Sequence, residues 1–262
     1  MKKVIVVIPT LNEEKIIAKT IIKVFNQQKK IKKYQLSILV VDGNSTDSTR
    51  KKVKLLKKQY KHLFLMNIKK RGLGLALAQG MKKAVKKYQA DLILTMDADG
   101  SHNPNQLSAF IDNIKNTDIV IGSRYTDGGR IKNWNLIRRI LSLTGNLYLR
   151  ITIGLTGISD FTSNFRLMRK KTLKALWNDK VFLVEDWTFL PKFLLTLKTK
   201  GYILKEIPIV FSQREAGYSK MNPVIYSKKL FLLALNYKFK QLSNNFTSLS
   251  YGIKSAKATP RE

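Results

Sequence analysis

The sequence predicts an α/β fold in which a parallel central sheet is flanked by helices, and three observations carry that reading. Short, mostly apolar runs at residues 4–8, 36–41, 63–68, 92–96 and 119–122 alternate with longer amphipathic stretches at 13–28, 48–60, 75–87 and 104–114. The runs have strand length and lack strict polar alternation, as expected of strands covered on both faces. Polar and acidic residues follow three of the runs directly, at the carboxyl ends where such sheets bind ligands.

Taken in order, the first helical stretch places Ile17, Ile21, Val24 and Phe25 on one face, with Asn12 as its expected N-cap. The helices at 48–60, 75–87 and 104–114 each return the chain to the sheet. Beyond about Arg124 the rhythm changes. Residues 126–135 read as a polar, glycine-containing loop, and residues 136–155 as an apolar helix broken by Arg138, Arg139 and Arg150. Its Leu136, Ile137, Ile140, Leu141, Leu143, Leu147, Leu149 and Ile151 are expected to pack chiefly into the core, with a helix lying at a membrane interface as the alternative. A Ser/Thr/Asp/Asn cluster follows at 159–164, then one or two helices through Lys200, a strand at 206–211, and a frayed lysine-rich tail from about Asn236.

Composition narrows the function. An apolar fraction of 44% over 262 residues can build a core, and the absence of cysteine excludes disulfides and thiolate metal sites. The 49 Lys+Arg against 17 Asp+Glu leave a formal charge of +32. Most of the excess is lysine scattered on helices, so it permits a membrane surface or phosphorylated ligands without singling out either. Basic residues interleaved with aromatics on a platform are not evident, which argues against a nucleic-acid partner. Met1-Lys2-Lys3 leads into an apolar stretch too short for a signal peptide, and the apolar run 230–235 is far short of the ~20 residues a membrane span needs. The expected location is cytoplasmic and peripheral, on the cytoplasmic face of a membrane.

The chemistry lies at the strand ends: Pro9-Thr10-Leu11-Asn12-Glu13-Glu14, then Asp42-Gly43-Asn44-Ser45-Thr46-Asp47, then Asp97-Ala98-Asp99-Gly100. Carboxylates gathered in one crevice repel one another, and an Asp-x-Asp pair suits a hard divalent cation that leaves other coordination positions to diphosphate and water. Arginine grips phosphate with a planar fork where lysine offers a point charge, so Arg124, Arg138, Arg166 and Arg214 stand out in so lysine-rich a chain. Neither histidine reads as catalytic: His62 precedes a strand at the surface, and His102 is expected to shape a loop.

These sets resemble glycosyltransferase family 2, in its dolichyl-phosphate mannosyltransferase branch. The matching pieces also include Arg71-Gly72-Leu73-Gly74, Gly122-Ser123-Arg124-Tyr125, Asp160-Phe161-Thr162-Ser163-Asn164-Phe165-Arg166 and Arg214-Glu215-Ala216-Gly217-Tyr218-Ser219-Lys220. The resemblance implies a GT-A type fold over residues 1–222, with a donor-binding half at 1–125, an acceptor-side half at 126–222 and a basic C-terminal helix or tail at 223–262. By the same resemblance Pro9, Leu11, Glu13 and Asp42 line a nucleoside pocket, Asp97 and Asp99 hold Mg²⁺ or Mn²⁺ and the donor diphosphate, and Ala98 between them contacts substrate. Arg124, Arg138, Ser142 and Arg214 match phosphate-gripping positions, and Lys220 adds to them. GDP-mannose is the implied donor, a polyprenyl phosphate the acceptor, and a small membrane-anchoring subunit a possible partner.

The chain departs from the family pattern at four places. Gly43 stands where a second acid is frequent, Ser101-His102 replaces an acceptor-side glutamine, and Phe189-Leu190-Pro191-Lys192 replaces Phe-x-x-Glu. Asn164-Phe165-Arg166 stands for the usual Gly-Phe-Arg. A lipid phosphate is already anionic, so inverting, in-line attack needs no strong base. A saccharide acceptor would need one, with Glu185 or Asp186 as candidates, and undecaprenyl-phosphate glucosyl transfer is a nearer alternative. A dinucleotide site is excluded, since Arg71-Gly72-Leu73-Gly74 follows the third strand and lacks G-x-G-x-x-G.

Overall fold

A computed structural model describes residues 1–70, 72–154, 156–217, 222 and 224–239. Its strands are β1 (Lys2–Thr10), β2 (Tyr34–Asp42), β3 (Leu63–Asn67), β4 (Leu92–Thr95), β5 (Ile119–Ser123), β6 (Arg130–Lys132), β7 (Arg166–Arg169), β8 (Leu204–Pro208) and β9 (Val210–Ser212). Its helices are α1 (Ile17–Phe25), α2 (Thr49–Gln59), α3 (Leu73–Lys86), α4 (Leu107–Asn113), α5 (Leu136–Ile153), α6 (Lys170–Ala175), α7 (Phe189–Thr199) and α8 (224–239).

Seven strands form the main sheet in the order β3-β2-β1-β4-β7-β5-β8. Neighbours run parallel except β7, which is antiparallel to both β4 and β5. The alternation of side chains along β1 shows why the strand reads as continuously apolar. Val4, Val6 and Ile8 pack with α1, α2 and α4 on one face, while Ile5 and Val7 pack with α3, α7 and α8 on the other. On that second face Gly80 lets α3 lie against the sheet: a Cβ there would stand 2.7 Å from Val7 Cγ1 and 2.8 Å from Val41 Cγ2.

The five strands and four helices expected in the first half are present, with ends shifted by a few residues. Asn12 is not a helix cap. Its φ of 54° places it in the left-handed region. Its side chain instead accepts the Thr46 N–H at 2.9 Å, stitching the loop after β1 to the loop after β2, and α1 begins only at Ile17.

The second half holds what the sequence concealed. β6 lies inside the stretch read as loop, and β7 is the four residues Arg-Leu-Met-Arg, too short and too charged at its ends to register as an apolar run. The strand expected at 206–211 is two strands. Pro208 has no N–H to extend a ladder, and beyond it the chain leaves β5 and pairs with β6 in a separate two-stranded sheet. The expectation that α5 packs chiefly into the core is also corrected. Leu149 is buried, but Leu136, Ile137 and Ile151 are about 70% exposed and Ile140, Leu141, Leu143 and Leu147 about half. The sheet face is already covered by α3, α6 and α7, so α5 touches the body along one narrow edge. Residues 236–239 continue α8 instead of fraying, because Leu230, Ala234 and Tyr237 pack onto the core. The remainder of the expected tail lies outside the described residues.

Gly80→Val is expected to destabilise the protein by about 1–3 kcal/mol, since the added methyls force α3 off the sheet. A fall in the urea midpoint with an unchanged slope would show it.

Candidate active site

Parallel β1, β2, β4 and β5 all present their carboxyl ends at one rim. β7 runs the other way, so the loop that precedes it, residues 160–165, comes to that same rim. The rim opens into a cavity of about 1380 Å³. Pro9 lines it from the end of β1, Leu11 and Glu13 from the loop that follows, Asp97, Ala98 and Asp99 from the loop after β4, Arg124 from the end of β5, Arg138 and Ser142 from α5, and Arg214 from the segment after β9.

Two of the residues singled out from sequence do not line it. The Asp42 carboxylate is fully buried beneath its own turn, accepting from Ser45 N at 2.9 Å and Ser45 Oγ at 2.5 Å. It shapes the turn that puts Gly43 on the wall. Arg166 is buried, and its guanidinium donates to the carbonyls of Phe161, Ser163 and Leu190, so it braces the 160–165 loop and meets no phosphate. Burial without a carboxylate partner lowers its pKa to about 10. Lys220 lies outside the described residues.

The two acids are held differently. Asp97 Oδ1 accepts from Asn164 Nδ2 at 2.8 Å, and its backbone N–H donates to His102 Nδ1 at 3.0 Å. His102 is buried, stacked on Phe165 at 4.8 Å, and burial holds its pKa down. With Nδ1 accepting, the ring is neutral and fixes the loop, as its sequence position suggested. Burial and the nearby Asp99 charge push the Asp97 carboxyl up, against the Asn164 hydrogen bond and the Arg214 charge. Asp99 Oδ1 accepts from Ser101 N and Oγ at 3.0 and 2.6 Å, leaving Oδ2 toward Arg214 at 3.2 Å. The neighbouring Glu215 fixes Arg214 there. Its N–H donates to Asp99 O at 2.9 Å, and its carboxylate pairs with Lys19 and Lys23 on α1. Among the described residues no group of three His, Cys, Asp or Glu converges as a complete metal cage. Two carboxylates with cavity-facing oxygens fit a hard cation that takes its remaining ligands from water and a diphosphate.

Opposite stands an arginine cluster. Arg124 donates to both oxygens of Asp160 at 2.7 Å and to Thr162 Oγ1 at 2.7 Å, with both partners of the ion pair buried. Burial opposes ionisation of Asp160, but the Arg124 charge and its hydrogen bonds win and hold that carboxyl below the usual range. Arg124 therefore anchors the loop with most of its donors. Arg138 lies over the Trp134 ring at 4.0 Å, and its pKa is depressed by burial and then by the charges of Arg214 and Arg124. Like charges gathered in a half-buried site favour an anionic ligand. Sequence reasoning missed Trp134, Asp160 and Asn164 as site residues. Asp160 and Asn164 lie in the matching stretch 160–166 but act through partners distant in the chain, while Trp134 lies under Arg138 from a stretch read only as loop.

Neither candidate base lines the cavity. Asp186 pairs with Lys229 and accepts from Thr188, contacts that keep its carboxyl low despite burial, and Glu185 pairs with Lys70.

A parallel sheet whose rim sets paired carboxylates against arginines over a deep cleft defines a GT-A glycosyltransferase. Residues 5–177 match the family model described as Glycosyl transferase family 2, and the chain belongs to that family. Its relatives include a polyprenol monophosphomannose synthase of Mycolicibacterium smegmatis, 32% identical over 89% of this chain and 86% of that protein. An undecaprenyl-phosphate mannosyltransferase of Micrococcus luteus is 32% identical over 84% of this chain and 88% of its own length. A dolichol-phosphate mannosyltransferase of Pyrococcus furiosus is 31% identical over 84% of this chain, which spans 59% of that longer protein. Among solved structures the fold resembles the mannosyltransferase PcManGT of Pyrobaculum calidifontis in complex with GDP-Man and Mn²⁺. The TM-score is 0.55 at 18% identity, covering 98% of this chain and 81% of that one. It also resembles mannosyl-3-phosphoglycerate synthase of Rubrobacter xylanophilus, with a TM-score of 0.58 at 14% identity, covering 100% and 77%.

Asp160→Asn leaves the Arg124 charge buried without its counter-ion and is expected to cost about 3–5 kcal/mol of stability, read as a lowered urea midpoint. The folded pKa of Asp160 lies below its unfolded value, so the pair's contribution is full above the ordinary carboxylate range. It is lost as pH falls through the folded value, and the variant should lack that acid-side loss.

Proposed function

We propose that this protein transfers mannose from GDP-mannose to the phosphate of a polyprenyl lipid, inverting the anomeric carbon. The observation that carries the reading is the two-ended cavity. One end is the carboxylate pair facing Arg138 and Arg214, and the other is an apolar corridor between α5 and α8. Ile137, Leu141 and Tyr148 line that corridor on one side and Leu230 and Phe231 on the other, with the Tyr148 and Phe231 rings stacked at 5.4 Å. A phosphate attached to an isoprenoid chain has those two halves. Three relatives named for polyprenyl-phosphate mannose transfer support the same donor and acceptor class.

The residues then have distinct tasks. Pro9, Leu11, Glu13 and Gly43 wall the nucleoside end. Asp97 and Asp99 would hold Mg²⁺ or Mn²⁺, which when bound offsets the charge on the departing diphosphate. Arg138 and Arg214 orient the acceptor phosphate, Ser142 lies beside it, and Arg124 holds the wall through Asp160 while lending its charge. No base is required, because the attacking phosphate oxygen is already anionic; this fits Glu185 and Asp186 being turned to lysines outside the cavity. Catalysis is positioning and electrostatics.

The exposed rows of α5 and α8 support a peripheral membrane contact that delivers the lipid. Leu136, Ile140 and Leu143 on α5 and Val224, Ile225 and Phe239 on α8 present apolar side chains to solvent beside lysines and arginines. No helix among the described residues is long and apolar enough to cross a membrane. A membrane-anchoring subunit remains compatible with this face.

Labelled mannose is expected to pass from GDP-mannose to dolichyl or undecaprenyl phosphate in detergent, only with Mg²⁺ or Mn²⁺. Asp99→Asn should lower the rate by at least about 100-fold, the scale on which metal-site residues act. Turnover of a saccharide acceptor with no lipid-linked product would overturn the reading. Replacing Leu136, Ile140 and Leu143 together by serine should weaken binding to phosphatidylglycerol vesicles while leaving transfer to a short-chain polyprenyl phosphate in detergent within about twofold, since these side chains lie outside the cavity.

A further inference from the structure

We propose that Asn164 reads the transferred sugar: its amide nitrogen fixes Asp97 and its amide oxygen accepts a hydrogen bond from one hydroxyl of the hexose. This rests on the nucleotide-sugar reading of the cavity. The amide lines the cavity yet is 3% exposed, and its two ends are in unequal states. Nδ2 donates to Asp97 Oδ1 at 2.8 Å, which sets the orientation of the amide, because the reverse would press two acceptor oxygens together. Oδ1 is buried and has no hydrogen-bond partner among the described residues. A buried carbonyl stripped of water is costly unless something fills it, and such orphaned groups ask for an explanation.

The backbone that carries the amide is fixed on both sides. Asn164 O accepts from Thr95 Oγ1 at 2.9 Å at the end of β4. The next residue, Phe165, is fully buried against Phe110 and His102, and its carbonyl accepts the Gly122 N–H at 2.8 Å. With that backbone fixed, the bond from Nδ2 to Asp97 sets where the amide oxygen lies.

Its chemistry selects the ligand group. A carbonyl oxygen accepts from O–H or N–H and repels phosphate oxygens, so its partner is a hydrogen-bond donor. A nucleotide sugar carries donors on its base, its ribose and its hexose. The nucleoside wall of Pro9, Leu11 and Gly43 is on the β1–β2 side of the carboxylates, whereas Asn164 stands on the β4–β7 side. With the diphosphate held between them at Asp97 and Asp99, the donor that reaches Asn164 comes from the hexose. The family pattern has glycine here, which offers neither contact, so the recognition belongs to this chain's own substitution.

A chemical double-mutant cycle tests it. Transfer to dolichyl phosphate would be measured with GDP-mannose and its 2-, 3-, 4- and 6-deoxy analogues, for the wild type, Asn164→Ala and Asn164→Gly. In the wild type one analogue should lose at least about tenfold in kcat/KM relative to GDP-mannose, the scale of one hydrogen bond. In both variants that single penalty should collapse to within about twofold, while the penalties for the other analogues persist. A merely structural role for Asn164 lowers kcat/KM equally for every donor, and an unchanged penalty pattern in the variants would overturn the proposal. The glycine variant, with the family's residue, guards against misfolding of the alanine form. A wild type that uses no GDP-mannose at all would instead remove the function reading, and this inference with it.

Discussion

The buried ion pair between Arg124 and Asp160 is the contact on which the arginine-bearing wall of the cavity depends. It ties the end of β5 to the loop that precedes β7, two segments 36 residues apart, with both charges out of water. From it the rest extends through short bonds. Tyr125, next to Arg124, donates to Ser142 at 2.6 Å and so fixes α5. Asn146 on α5 accepts from Phe161 N at 2.8 Å, and the same loop delivers Asn164 to Asp97. Arg166 braces this loop from beneath through three carbonyls. A buried pair of this kind adds little net stability compared with an apolar substitute, but losing one member is expensive, and that asymmetry keeps the wall in one geometry.

The antiparallel β7 explains why such a loop is available at all. A wholly parallel sheet would have sent every connection before a strand to the rim remote from the ligands. One reversed strand between β4 and β5 turns its leading loop to the ligand rim, where it faces the carboxylates. Residues far apart in the chain thereby line one cavity.

Charge is arranged on two scales. The lysine excess is spread over exposed helix faces and makes the surface attractive to anions. The site itself uses a few arginines, each partnered by an acid or an aromatic: Arg124 by Asp160, Arg214 by Asp99, and Arg138 by Trp134. Those fixed partners limit how far the forks can move, so an arriving phosphate meets donors already in place. Beside this cluster α5 and α8 leave apolar side chains exposed, so the charged groups and an uncovered apolar face lie next to each other.

The sheet of the first half, the carboxylate pair after β4 and the arginines at 124, 138 and 214 were legible in the chain before any fold was known, whereas Arg166 proved to brace a loop. Those features are local: a buried parallel strand needs an unbroken apolar run, and strand-end acids sit beside it in the chain. Ten of the twelve residues expected at the site line the cavity. Asp42 was misplaced because an acid after a strand reads the same whether it faces a ligand or folds its own turn. Lys220 falls outside the described residues. The remaining features came from packing alone, since each is a relation between distant segments. β7 is too short to show periodicity, and the switch of 204–212 between sheets depends on β5 and β6 together. The exposure of α5 depends on other helices having already covered the sheet. The pairing of Asn164 with Asp97 joins positions 67 residues apart. An amphipathic pattern states that a helix has an apolar face; what covers that face is settled by the neighbours that folding brings to it.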